Sequence, residues 1–214
     1  MIVLLGGEKG GSGKSCLAQN LAVWLQRKGR DVLMLDADPQ GTTADWAKER
    51  EQVGVLPPLS VVQAHGNIRQ TLLDLKKRYE AIIVDAGGAD SEALRSAMTV
   101  ATHMLIPFRP KRRDLKTLPN VENLVRLALA VNPDLVARAV ITQAPALPSQ
   151  GQRILDSKDA CTSFGIQALQ AFTTARNVYD DADENGSSVL EAGTDSKAIE
   201  EIELIAQELF KEIK

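Results

Sequence analysis

The stretch Glu8-Lys9-Gly10-Gly11-Ser12-Gly13-Lys14-Ser15 constrains this chain more than any other. It follows a short apolar run, Ile2-Val3-Leu4-Leu5, and opens a segment with helical periodicity. A strand, a glycine loop and a helix in that order make a cradle for phosphates. The glycines let backbone N–H groups turn inward around an anion, and the helix N-terminus adds partial positive charge. Gly10, Gly11 and Gly13 can supply the turn, although the strict phosphate-loop pattern wants glycine where this chain has Glu8. Lys14 would then reach the β- and γ-phosphates, and the Ser15 hydroxyl would ligate Mg²⁺. A second lysine, Lys9, adds positive charge inside the loop and is compatible with a solvated side chain or with a further phosphate contact.

The remaining periodicities extend this beginning. Leu17, Leu21, Trp24 and Leu25 recur at helical spacing through residues 14–29, and Gly29 suits the end of that helix. Residues 32–36, 81–85 and 103–107 are near-continuous apolar runs, the pattern of strands covered on both faces. Helices are predicted over 42–51, 67–78 and 91–101, with a short strand over 59–64. Leu118, Val121, Val125 and Ala128 mark another helix, whose start Pro119 obscures. A strand over 135–142, a helix over 150–164 and an edge strand over 165–169 follow. The last helix runs from about Ser196 to the end, with Ile199, Ile202, Ile205, Leu209 and Ile213 as one stripe.

This alternation predicts an α/β fold, one domain over 1–214 with a doubly wound, mostly parallel sheet and helices on both faces. Ligands in such sheets bind beyond the carboxyl ends of strands. The glycine loop, Asp36, Asp85 and Pro107 all fall there. Asp36-Ala37-Asp38-Pro39-Gln40-Gly41 offers two closely spaced carboxylates. They could serve a magnesium ion and a water, or simply form a polar strand end before a proline turn. Phosphoryl transfer asks for a metal, a placed water and charge neutralisation more than for covalent chemistry. Ile82-Ile83-Val84-Asp85 has the form of an apolar strand ending in a metal-holding aspartate, with Gly87-Gly88 leaving room near a γ-phosphate. The absence of a guanine-reading Asn-Lys-x-Asp segment favours adenine.

Residues 9–15 resemble the deviant Walker A loop of the ParA/MinD family of ATPases, and DADPQG resembles that family's DxDPQ signature. The likeness covers nearly the whole chain and is most specific at 9–15 and 36–41. In length, and in the ending Arg176…Tyr179…Gly186-Ser-Ser-Val189, it is closest to the small ParF-type partition ATPases. The resemblance implies ATP/ADP and Mg²⁺ as cofactors and a nucleotide-sandwich homodimer in which Lys9 reaches the partner's nucleotide. It assigns catalysis to Lys9, Lys14 and Asp38, with Asp38 orienting the attacking water, and the Mg²⁺ shell to Ser15, Asp36 and Asp85. Nucleotide contacts would come from Lys9, Gly10, Gly11, Ser12, Gly13, Lys14, Ser15 and Cys16, the last through its backbone N–H where the family usually has threonine. Base contacts would lie near Pro107, Thr142 and Gln143, and residues 85–90 would form a switch sensing the γ-phosphate. The implied function is DNA segregation. The ATP-bound dimer binds non-specific double-stranded DNA, and a ParB/ParG-like centromere-binding partner stimulates slow hydrolysis. A plasmid is the first cargo; a chromosome or carboxysome is the alternative.

With a net charge of −3 the chain has no global attraction for nucleic acid, so DNA binding requires a local patch. Lys111, Arg112, Arg113 and Lys116 form the densest basic cluster, either a solvated loop or a salt-sensitive DNA contact. Arg109, Arg138, Arg153 and Arg176 could extend it. A MinD-like lipid-binding terminal helix is disfavoured because Glu200, Glu201, Glu203, Glu208 and Glu212 face only Lys197, Lys211 and Lys214. No membrane partner is therefore expected. Cys16 and Cys161 suit neither a disulfide framework nor a metal cluster. Cys16 lies in the loop's own helix, which argues against an electron-transfer relative carrying its cysteines at a dimer axis. The chain starts inside its first strand, no apolar run is long enough to span a bilayer, and a cytoplasmic, nucleoid-associated protein is expected.

Overall fold

β1 (Ile2–Leu5) lies near the middle of a seven-stranded sheet with β4 (Ala81–Asp85) on one side and β5 (His103–Phe108) on the other. In this computed structural model, which describes residues 1–88 and 90–211, the other strands are β2 (Val32–Asp36), β3 (Ser60–Gln63), β6 (Val136–Ala144) and β7 (Ala168–Thr174). The order is β3-β2-β4-β1-β5-β6-β7 and every pairing is parallel. The expected doubly wound sheet is thus all-parallel. The step from β1 to β2 leaves a gap that β4 later fills, and the step from β4 to β5 passes over β1. The carboxyl end of β1 therefore opens into a crevice, where such sheets bind ligands.

The period-two alternation of β1 divides the core. Ile2 and Leu4 face one side, and Val3 and Leu5 the other. The first layer is covered by α3 (Arg69–Leu75), α4 (Glu92–Met98), α6 (Leu118–Leu129) and α7 (Gly151–Ser163), through residues such as Leu72, Leu94, Val121 and Ile154. The second is covered by α1 (Lys14–Arg27), α2 (Thr42–Val53), α8 (Val178–Asp183), α9 (Val189–Ala192) and α10 (Ser196–Phe210), through Leu21, Trp46, Val189 and Ile202. Burial on both faces explains why β1, β2, β4 and β5 read as unbroken apolar runs.

Several boundaries differ from the sequence reading. Pro119 sits in the first turn of α6, where its missing N–H has no helical partner to lose, so it starts the helix instead of disturbing it. The edge strand begins at Ala168 rather than 165, because Gly165 adopts a left-handed φ of 75° and closes the end of α7. The basic cluster forms one turn of helix, α5 (Arg112–Leu115). Neither α8 nor α9 was anticipated. Ile213, Glu212 and Lys214 of the terminal stripe and charges, and Ala89 of the 85–90 segment, lie outside the described residues. Among the described residues no helix is long and apolar enough to cross a membrane.

Candidate functional site

The loop after β1 wraps around its own carbonyls. Lys14 Nζ donates to the Lys9 carbonyl at 2.9 Å, and Ser12 Oγ donates to the same oxygen at 3.2 Å. Gly13 enters α1 with φ 88°, a conformation that any side chain would strain. Lys14 is only 6% exposed. Burial pushes its pKa down, and the carboxylates of Asp85 and Asp38 restore it only in part. An ammonium so placed is a strong attractor for an anion.

Strand ends brace this loop from three sides. From β6, Thr142 Oγ1 donates to the Ser12 carbonyl at 2.8 Å and Gln143 Nε2 donates to the Gly11 carbonyl at 3.0 Å. Gln143 does so from a left-handed backbone, φ 49°, a strained state for a non-glycine residue of the kind that collects at working sites. From β4, the turn through Gly88 packs directly on the loop, and a Cβ at Gly88 would lie 2.9 Å from the Gly10 nitrogen. A Cβ at neighbouring Gly87 would sit 3.4 Å from the Asp38 carboxylate, which places Asp38 over the same turn.

From β2, Asp36 is fully buried, with Oδ1 accepting from Asp38 N at 3.0 Å and Oδ2 from Ala44 N at 2.9 Å. It thereby caps α2 and shapes the turn that presents Asp38. Asp38 Oδ1 accepts from Gln40 N at 3.0 Å. Asp85, also buried, accepts from Thr43 Oγ1 at 2.7 Å, and the Ser15 hydroxyl lies beside it. Burial raises its pKa to about 6 against the pull of those two hydroxyls. Among the described residues no group of three or more His, Cys, Asp or Glu has metal-binding geometry. A divalent ion here would take one or two protein oxygens and complete its shell with phosphate and water, and the Ser15 hydroxyl beside the Asp85 carboxylate fits that demand.

These parts enclose a cavity of about 750 Å³. One side is the glycine loop with Lys14, Ser15 and Cys16. Asp38, Gln40, Thr42 and Gly88 close one end, and Thr142, Gln143 and the segment 173–180 supply the remaining wall. The volume lies in the range of small-molecule and cofactor sites.

Residues 3–158 match the model of the CobQ/CobB/MinD/ParA nucleotide binding domain. The chain belongs to this family. It is 26% identical over 216 residues to the protein ParA of Rhizobium radiobacter, covering 99% of this chain and 97% of that one. It is 31% identical over 192 residues to the maintenance of carboxysome distribution protein A of Gloeobacter kilaueensis, covering 89% and 84%. Among solved structures it superposes on the putative plasmid partition protein of Borrelia burgdorferi bound to AMPPNP with a TM-score of 0.77, at 21% identity and 99% coverage of both chains. The cell division ATPase MinD of Pyrococcus furiosus gives a TM-score of 0.77 at 18% identity, with 98% of both chains covered. The fold is therefore that of ParA/MinD-type P-loop proteins.

Within this ParA/MinD-type frame the sequence-predicted residues divide. Gly10, Gly11, Gly13, Lys14, Ser15, Cys16, Asp38, Thr142 and Gln143 line one cavity. Ser12, Asp36 and Asp85 stand behind it as supports. Lys9 belongs to the loop but does not line the cavity. Pro107 pairs with Val140 inside β5, one residue short of the strand's end, and does not line this cavity. The wall that the sequence reading missed is 173–180, because placing the edge strand at 165–169 put its carboxyl end too early. The rule that ligands lie beyond strand ends would have found it once β7 was placed correctly.

Lys111, Arg112 and Lys116 line a shallow groove between α5 and α7, joined there by Arg153, Asp156 and Ser157; Arg113 is exposed on the same turn. The other expected extensions are engaged elsewhere. Arg109 is held by the buried Asp114 at 2.7 and 3.0 Å, Arg176 by Asp195 and Glu201, and Arg138 donates to the Ala137 carbonyl. The Cys16 thiol is pushed up to about 12 by burial beside Asp183 and Asp180, and that of Cys161 to about 12 by burial. Both are poor nucleophiles at neutral pH.

Proposed function

We propose that this chain is a ParA-type DNA-segregation ATPase whose ATP-bound state is a homodimer that holds non-specific double-stranded DNA. The observation that carries the reading is the convergence of Lys14, Ser15 and Asp38 on one glycine-loop cavity, with Asp85 behind Ser15 and with Lys9 in that loop yet outside the cavity's lining. A lysine so placed suits a nucleotide bound by a second copy. Mg²⁺, when bound, neutralises charge on the β- and γ-phosphate oxygens. Every other contribution comes from the chain. Backbone N–H groups of residues 10–16 hold the phosphates, and Lys14 offsets their charge. Asp85 and the Ser15 hydroxyl beside it would hold the metal. Asp36, holding the Asp38 N–H and the first turn of α2, sets Asp38 where it can orient a water beside the Gly87-Gly88 turn. That turn touches Gly10 directly, which suits a switch sensing the γ-phosphate.

The α5–α7 groove with Lys111, Arg112, Lys116 and Arg153, and Arg113 beside it, suits DNA phosphates; its contribution should fall steeply with salt. Similarity to ParA over almost the full length of both chains supports a ParA-type cycle; we read plasmid DNA as its cargo and a ParB/ParG-like protein as the partner that stimulates hydrolysis, in the cytoplasm at the nucleoid. The 31% identity to a carboxysome distribution protein favours a second reading, in which the same cycle positions a protein compartment. Gel filtration with ADP against a non-hydrolysable ATP analogue, followed by DNA retention at two salt concentrations, tests the core of the proposal. Dimers and salt-sensitive retention are expected only with the analogue; a monomer with the analogue bound would refute it.

A further inference from the structure

The cavity wall at 173–180 is tied together from behind by one carboxylate on the last helix. Glu201 Oε1 accepts from Thr174 Oγ1 at 2.6 Å and from Arg176 Nε at 3.2 Å. Its Oε2 accepts from the Thr174 backbone N–H at 3.1 Å and from the Tyr179 hydroxyl at 2.8 Å. Thr174, Arg176 and Tyr179 all line the cavity, whereas Glu201 does not. Arg176 makes a second ion pair, Nη1 to Asp195 Oδ2 at 3.2 Å, and Asp195 in turn caps α10 by accepting from Lys197 N and Ala198 N. The wall is therefore clamped to the first half of α10 at two carboxylates.

The position of this wall defines what it can touch. Lys14, Ser15, Asp38 and Gly88 commit their end of the cavity to phosphates and their metal. The segment from Thr173 to Asp180 has no glycine loop, its one cation, Arg176, is already paired with Glu201 and Asp195, and it offers hydroxyls, an aromatic ring and backbone groups. Those features suit the nucleoside part of a nucleotide. We infer that Glu201 is a positioning residue that holds Thr174, Arg176 and Tyr179 in the single arrangement that selects the nucleobase. This rests on the nucleotide-binding reading above and adds to it a residue that never touches the ligand.

The hydrogen-bond inventory makes the role testable. All four contacts are donated to Glu201, and a carboxylate only accepts. An isosteric amide cannot replace it. In one orientation its NH₂ faces the Thr174 N–H, and in the other it faces Arg176 Nε. Glu201→Gln therefore keeps the volume and breaks the clamp. Binding of ATP, GTP and inorganic tripolyphosphate, each with Mg²⁺, would be measured by calorimetry for the wild type, E201Q and Y179F, together with unfolding temperatures. We expect E201Q to weaken ATP binding about tenfold and to shrink the ATP-to-GTP preference by a similar factor, the scale of one charged hydrogen bond. Tripolyphosphate binding should change less than about twofold, because the phosphate end is untouched. Y179F, which removes one arm of the clamp, should shift the preference in the same direction by about threefold, and it decides the matter if E201Q does not fold. An unchanged ATP-to-GTP ratio in a folded E201Q, an unchanged ratio in Y179F, a wild type that takes both nucleotides alike, or an equal loss for tripolyphosphate would each overturn the inference. A wild type that binds neither nucleotide would overturn the nucleotide-binding reading itself.

Discussion

At the scale of single residues, the site depends on close approaches more than on reactive groups. Gly88 presses on the Gly10 nitrogen, and a methyl group there has no flexible neighbour to push aside. Gly88→Ala should displace the loop backbone, lowering nucleotide affinity by about tenfold or more and lowering the unfolding temperature as well; calorimetry and a thermal melt would show it. Lys14→Ala should abolish nucleotide binding, since it removes the one buried cation of the loop. Asp38→Ala should instead leave binding intact and trap the ATP-bound dimer, visible as persistent dimer and absent phosphate release. The two thiols provide a pH test. Both fold with pKa values near 12, above the ordinary 9.0, so the native state holds protons that the unfolded chain releases. Their contribution to stability is complete below about pH 9 and is lost as pH rises toward 12. Denaturant midpoints should accordingly fall across that window, and Cys161 should resist thiol reagents at pH 8 until the chain unfolds.

At the scale of elements, short helices do work that their length conceals. α9 spans only Val189–Ala192, yet its capping box joins Ser188 and Glu191. Glu191 also receives the buried Arg50 in a bidentate pair at 2.6 and 2.8 Å, tying α9 to α2. Arg50 further donates to the carbonyls of Pro57 and Gly186. With the Arg50 side chain 1% exposed, removing its partner leaves an uncompensated buried charge. Glu191→Ala should therefore cost about 3–5 kcal/mol of stability, measured by urea unfolding. The Ser-x-x-Glu spacing at 188–191 was readable as a helix start. The single turn of α5 was less so, because Lys111-Arg112-Arg113 carries no apolar periodicity and the turn is held by Asp114 gripping Arg109.

At the scale of the whole molecule, the parallel sheet gathers five strand ends on one rim, and the cavity is what that gathering encloses. α10 illustrates how tertiary placement revises a chemical reading. Its acidic residues look like a face turned to solvent and away from lipid. In the fold, Glu201 and Glu208 turn toward the sheet's edge, and Glu208 accepts from the Gln170 and Ala171 N–H groups at 2.8 and 2.9 Å. An edge strand satisfied in this way is protected from pairing with another chain. On the proposed function, raising salt should weaken DNA retention steeply while leaving the nucleotide-dependent dimer largely in place, because DNA contacts at an exposed basic groove would be screened and an interface closed over a nucleotide would not. Filter retention and light scattering, read side by side across a salt series, would check this.

The sequence by itself determined the fold class, the order of strands and helices along the chain, and the phosphate loop with its two following aspartate strands. Each of these is written in local patterns: apolar runs of strand length, helical spacing, glycines where only glycine turns. What covers the second half of the cavity was decided by tertiary structure alone. Thr142 and Gln143 meet the glycine loop across more than a hundred residues of chain, and Arg176 is neutralised by carboxylates on α10. Such contacts depend on which strand lies beside which, and no local spacing records them. The same holds for Asp36, whose neighbours in sequence suggest a metal ligand. Its neighbours in space add a second task, seating Asp38 and α2 through the amides of Asp38 and Ala44.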